Sequence, residues 1–240
     1  MDDVKRQNLE VTCELARRVA RTTWRVSFPF ALLRSLALAR KTGKVFLAPP
    51  GGSSPPAILG HINAVFELRE QCNRNELPIP DYILCPFGSG GTAAGLSIGL
   101  TLAGWPTRLV AVRVVDRVVG NRFTLRFHIR RTLRFLRSHG AELPRHVKWA
   151  QNVEVVHHCF GCGYGEPSPD GERCRELAER HEGLKLDCTY TAKTLAALLN
   201  QKESGRLAET TVLFWHTLDC RELPRLPERL RTQMKTRAIA

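Results

Sequence analysis

Acidic residues are scarce in this chain: 23 Asp and Glu stand against 36 Lys and Arg, a net charge of +13 over 240 residues. Long apolar runs are missing altogether, so no segment offers the roughly 20 apolar residues of a membrane-spanning helix. The opening stretch, MDDVKRQNLEV, has no apolar core of the kind a secretion signal needs, and a cytoplasmic protein is the expectation. Internal repeats and low-complexity segments are absent. Neither a Gly-Lys-Ser/Thr phosphate loop nor GxGxxG in the dinucleotide spacing occurs, which removes the two commonest nucleotide-binding readings. Cysteine is not scarce. Eight are present, at 13, 72, 85, 159, 162, 174, 188 and 220, and without an export signal they read as reduced thiols.

The excess of positive charge is concentrated. From Arg117 to Lys148 there are nine Lys/Arg and one acid, Glu142. Leu125, Ile129, Leu133 and Leu136 recur at helical spacing, and Arg126, Arg130, Arg134 and Arg137 recur one step round the helix. An amphipathic helix docked on a core and ending near Gly140 accounts for both sets. No aromatic stacking platform is read among the arginines, so a solvated helix face is preferred to a nucleic-acid site.

Five segments read as buried strands: 44–48, 82–87, 108–115, 153–158 and 211–216. Each is nearly continuous in apolar or β-branched residues, as strands covered on both faces are. Helical patterns fall between them. One opens with Pro55 and Pro56, another stops at Gly104, a third starts at an Asp170 cap and ends at Gly183, and a fourth follows Tyr190. The alternation predicts an α/β fold: a mostly parallel sheet with helices on both faces. The first forty residues look helical in two pieces, broken near Pro29. The expected organisation is a helical segment over 1–43, an α/β domain over 44–220 and an extension over 221–240.

The stretch PDYILCPFGSGGTAAGLSIGLTL (80–102) joins an apolar strand to a helix through Gly88, Ser89, Gly90, Gly91 and Thr92. Unpaired amides at a helix start, with the positive end of its dipole, make an anion site, and glycine lets a phosphate approach the main chain. The alternative is a plain tight turn.

Four stretches, in order, bear on that choice: APPGGSSPPAILGHINAVFEL (48–68), GSGGTAAGL (88–96), GYGEPSPDG (163–171) and LDCTYTAKT (186–194). Together they resemble the family of D-cysteine desulfhydrase and 1-aminocyclopropane-1-carboxylate deaminase, pyridoxal-phosphate enzymes of the tryptophan-synthase-β fold type. VLFWHT (212–217) matches the strand that closes that family's cofactor site. The resemblance implies that Gly88, Ser89, Gly90, Gly91 and Thr92 hold the cofactor phosphate. It implies that Tyr164 faces cofactor or substrate, that Tyr190 packs beside the pyridine ring, and that Thr217 borders the site. Thr191 falls where the family places the partner of the pyridine nitrogen, and Ser53 and Ser54 fall on a loop directed at the substrate carboxylate. Cyclopropane deaminases carry a carboxylate at the Thr191 position. A hydroxyl is the weaker partner, which fits the desulfhydrase branch. The implied reaction is β-elimination from D-cysteine to pyruvate, ammonia and sulfide, with cyclopropane deamination as the near alternative. The implied assembly is a homodimer acting on a small amino acid.

The chain also departs from that pattern. The family's Schiff-base lysine lies in an Asn-Lys-x-Arg-Lys context well upstream of GGSS, and no such motif occurs here. The lysines before Gly51 are Lys5, Lys41 and Lys44. Lys193 lies in a family motif but is not that lysine. The expectation is therefore a large domain without its catalytic first part, impaired in turnover. Leu218 and Asp219 replace glycines that many members carry after His-Thr. Two rival readings remain: a zinc site using Cys159 and Cys162, whose Cys-x2-Cys spacing suits one ion, and a nucleic-acid module using Arg126, Arg130 and Arg134.

Overall fold

Strand β1 (Tyr82–Phe87) is apolar at successive positions because both of its faces are covered. Ile83, Cys85 and Phe87 enter one core, and Leu84 enters another on the opposite side. Period-two alternation of side chains across a strand explains the split. β2 (Arg108–Arg113) does the same: Leu109 and Ala111 face one core, Val110 and Val112 the other. With β3 (Val153–Val156) and β4 (Val212–Phe214) they form one parallel sheet in the order β3-β2-β1-β4.

These features come from a computed structural model that describes residues 24–43, 48–144 and 148–217. The chain divides into two units, one of Pro49–Asp219 and one of Met1–Ala48 with Cys220–Ala240. In the second of these, the described element is α1 (Trp24–Thr42). The expected break near Pro29 does not occur: the helix runs through it. Pro29 lies in the second turn, where it removes a single backbone donor from a long helix. The expected strand at 44–48 falls on residues outside the described ones, except for Ala48, which is in no strand.

The other unit holds the sheet. α2 (Pro55–Asn73), α3 (Gly91–Ala103) and α4 (Arg122–Ser138) cover one face, and α6 (Thr191–Glu203) packs on β1 and β2 from the other, with α5 (Pro169–Glu182) beside it. The cap of α5 is Ser168, not the expected Asp170: the Ser168 hydroxyl accepts from the Gly171 amide, which places Asp170 inside the first turn. Connection handedness accounts for the layering. The chain steps from β1 to β2 to β3 in one direction through α3 and α4, then returns past β1 to β4 through α5 and α6, so right-handed crossovers place the two pairs on opposite faces. Helix α3 is buried at every position from Ala93 to Leu100, being wedged between the sheet, α2 and α4. Its Gly95 permits that wedge: a Cβ there would lie 2.5 Å from the His61 Cβ and 2.8 Å from the Ile58 carbonyl oxygen of α2.

Candidate functional site

In a parallel sheet the carboxyl ends of the strands face a crevice where the strand order reverses. Here the reversal lies between β1 and β4, and Gly88–Thr92 occupies the carboxyl end of β1. Gly90 caps α3 with φ of 94°, in the left-handed region, and no side chain caps the helix. The first amides of α3 are thus left to an outside acceptor at the positive end of the dipole. A Cβ at Gly90 would come within 2.7 Å of the Phe87 ring, and one at Gly88 within 3.1 Å of the Tyr190 ring. The loop is a backbone cradle with Tyr190 for a wall.

Two other elements line the loop. Ser53, 4% exposed, shares a 2.6 Å hydrogen bond with the Ser89 hydroxyl. Ser54 stands next to it at the start of α2, half-buried and without a side-chain capping bond. The Thr92 hydroxyl pairs with His61 Nε2 at 3.2 Å. Burial holds His61 below the usual imidazole range. His128 of α4 lies under Gly90 and is held low by burial as well, with the Ser89 backbone opposing the shift. Two neutral imidazoles therefore flank the loop near neutral pH.

Tyr164 and Tyr190 meet hydroxyl to hydroxyl at 2.5 Å, their rings edge to face. Burial, then the bond from Tyr164, pushes the Tyr190 phenol far above its ordinary range, so it stays protonated. Tyr190 is aimed by Asp187. The Asp187 carboxylate accepts hydrogen bonds from the amides of Thr189 (2.8 Å), Tyr190 (2.7 Å) and Thr191 (2.9 Å). It accepts a fourth from the Thr191 hydroxyl at 2.6 Å. The sequence reading missed Asp187, His61 and Arg113. A signal existed for the first of them: aspartate is a preferred residue at a helix start, and it stands four positions before Thr191.

The remaining expected site residues fall as follows. Thr191 is fully buried, with its hydroxyl donating to Asp187. Thr217 is exposed, three residues past the end of β4, on the same carboxyl side of the sheet as Gly88. Leu218 and Asp219 lie outside the described residues, as do Lys5 and Lys44. The Lys193 ammonium donates to the Phe160 and Gly163 carbonyls.

The zinc reading fails on geometry. Among the described residues no three or more metal-ligating side chains gather. On α4 the expected apolar stripe is found, with Leu125, Ile129 and Leu133 buried. No aromatic stacking platform is expected among the arginines, yet two phenylalanines share their exposed face. Phe123 and Phe127 stand 82% and 58% exposed beside Arg126 and Arg130, because their positions fall on the outward face.

A protein-family model described as "Pyridoxal-phosphate dependent enzyme" matches residues 17–217. A putative 1-aminocyclopropane-1-carboxylate deaminase of Thermotoga maritima is 35% identical over 183 residues, 74% of this chain and 53% of the relative. Nocardicin C-9' epimerase of Nocardia uniformis subsp. tsuyamanensis is 33% identical over 190 residues, 78% of this chain and 54% of that protein. A crystal structure of an ACC deaminase homologue superposes with a TM-score of 0.67 at 29% identity, covering 83% of this chain and 57% of the other. The chain spans about half the length of the curated relatives it matches.

Proposed function

Because the chain belongs to the family of pyridoxal-phosphate dependent enzymes, we propose that Gly88–Thr92 grips the phosphate of that cofactor and that the site serves a lyase or deaminase of a small amino acid. The observation that carries the reading is the uncapped start of α3 behind a left-handed Gly90. The residues fit the group. Amides of the first turn, with the Ser89 and Thr92 hydroxyls, suit a dianionic phosphate, and the space beside Gly88 ends at the ring of Tyr190. When bound, pyridoxal phosphate supplies an electron sink for bond breaking at the α and β carbons of an amino acid.

The chain's own residues would do the rest. Ser53 and His61 hold the Ser89 and Thr92 hydroxyls in place. Tyr190 would pack along the cofactor ring, with Tyr164 hydrogen-bonded to its hydroxyl. The Thr191 hydroxyl donates its hydrogen bond to Asp187, and a threonine has no carboxylate to offer the ring nitrogen. That favours loss of a good β-leaving group, as from D-cysteine, over opening of a cyclopropane ring. A homodimer and a cytoplasmic location belong to the same proposal, and sedimentation analysis tests the former.

The test is calorimetric titration with pyridoxal phosphate and with pyridoxal. Uptake of the phosphorylated form alone is expected, with affinity falling at least tenfold in Gly90→Ala. No uptake, or equal uptake of both forms, overturns the reading.

A further inference from the structure

Tyr164 is delivered by the loop between β3 and α5, residues 157–168, which buries little of its own: Cys162 and Tyr164 are exposed, and Phe160 is half-buried. Two cations from other elements hold it. Lys193, fully buried in the first turn of α6, donates through Nζ to the Phe160 carbonyl at 2.7 Å and the Gly163 carbonyl at 3.0 Å. Arg113, 8% exposed at the end of β2, donates through Nε to His157 Nδ1 at 3.0 Å and through Nη2 to the His157 carbonyl at 3.0 Å. Its Nη1 donates to the Val115 carbonyl at 2.6 Å, which anchors the guanidinium to the turn just past its own strand. Both cations face the Phe160 ring, Arg113 at 4.5 Å and Lys193 at 5.5 Å.

Such burial of an ammonium is costly unless its donors are met, and here the carbonyls of a glycine-rich loop meet them. The placement also has a geometric economy. Tyr190 is the residue that leads into α6 and Lys193 lies in its first turn, and Asp187 binds the amides where the two meet. The tether of the loop and the target of Tyr164 thus belong to the same rigid element.

We infer that Lys193, with Arg113, is a positioning residue: it clamps loop 157–163 so that the Tyr164 hydroxyl is presented to Tyr190 at the mouth of the cradle. The clamp rests on the proposed function only for its consequence at the cofactor. The contact itself belongs to the protein without cofactor and is tested there. Both of these Lys193 bonds end on loop carbonyls, and through them it acts on the loop.

The chain has three tyrosines, which makes ring-labelled tyrosine NMR simple to assign. Tyr164→Phe defines how the Tyr190 signal looks without its partner. In Lys193→Met the Tyr190 signal is expected to move in the same direction by at least half as much. The amides of 158–165 are expected to exchange at least tenfold faster, while those of β1 and α3 keep their rates. A Tyr190 signal and loop protection equal to the wild type overturn the inference. So does equal acceleration of β1 and α3, which would make Lys193 a support of the core alone. Should Lys193→Met not fold, Arg113→Gln releases the loop at His157. The same two measurements then apply: a shifted Tyr190 signal with faster loop exchange supports the clamp, and wild-type values overturn it. Calorimetry with pyridoxal phosphate on the wild type separates the two claims. Failure to bind sinks the proposed function and leaves the clamp standing, whereas an unmoved Tyr190 signal sinks the clamp and leaves the cofactor site standing.

Discussion

Asp187 organises more of the site than its place in the chain suggests. One buried carboxylate meets three amides and a hydroxyl, and so fixes the direction of Tyr190. Asp187→Ala leaves those donors unmet in a buried turn and is expected to cost about 1–3 kcal/mol, read as a lowered denaturant midpoint with an unchanged slope. His61 and His128 make a second prediction at this scale. Burial lowers both below their free value of 6.5. The unfolded chain therefore takes up protons first as pH falls below that value, so their contribution is complete above 6.5 and is lost as pH drops through the lowered pKa values. Urea midpoints are expected to be flat at neutral to mildly alkaline pH and to fall in mildly acidic buffer. His128→Asn is expected to flatten that fall. Residue chemistry was only partly legible in the sequence. The glycine loop could be read because its composition states its use. Asp187 left a local signal, since it meets amides two to four residues ahead, whereas the roles of Arg113 and Lys193 left none, because packing brings the loop carbonyls to them.

Elements were read more fully. The strands at 82–87, 108–113, 153–156 and 212–214 are all found, each equal to the expected span or slightly shorter. The helix starts at Pro55 and after Tyr190 also appear, since proline and capping chemistry are local. What the pattern could not show is the closeness of α2 to α3. Gly95→Ala tests it. Helix propensity alone favours alanine by roughly 1 kcal/mol, but the new methyl meets the Ile58 carbonyl oxygen at 2.8 Å, backbone that cannot turn aside. A net loss of about 1–3 kcal/mol is expected, measured as a lower melting temperature. The opposite sign would mean that α2 slides away freely.

At the scale of the molecule, charge and site are separate. The arginines of α4 lie on its outer face, while its inner face meets the core. Replacing Arg126, Arg130 and Arg134 by Gln is expected to leave uptake of pyridoxal phosphate within a factor of about two, since each exposed charge is screened over roughly 8–10 Å of saline. Saturation with the cofactor at about 100 times its Kd is expected to add about 2.7 kcal/mol of stability, and the melting temperature should rise accordingly. The layered α/β architecture was legible because doubly covered strands alternate with helices. The reversal of strand order was not, since no local pattern says which neighbour β4 will choose.

That choice sets an order of events in time. The grip at β1 and α3 is built from consecutive residues, whereas its neighbour β4 arrives from far along the chain: Thr211 bonds Asp81 across 130 positions. Closing so long a loop is slow, so a nascent polypeptide would possess the anion grip well before it possesses the crevice, and vitamin capture would be among the last steps of maturation.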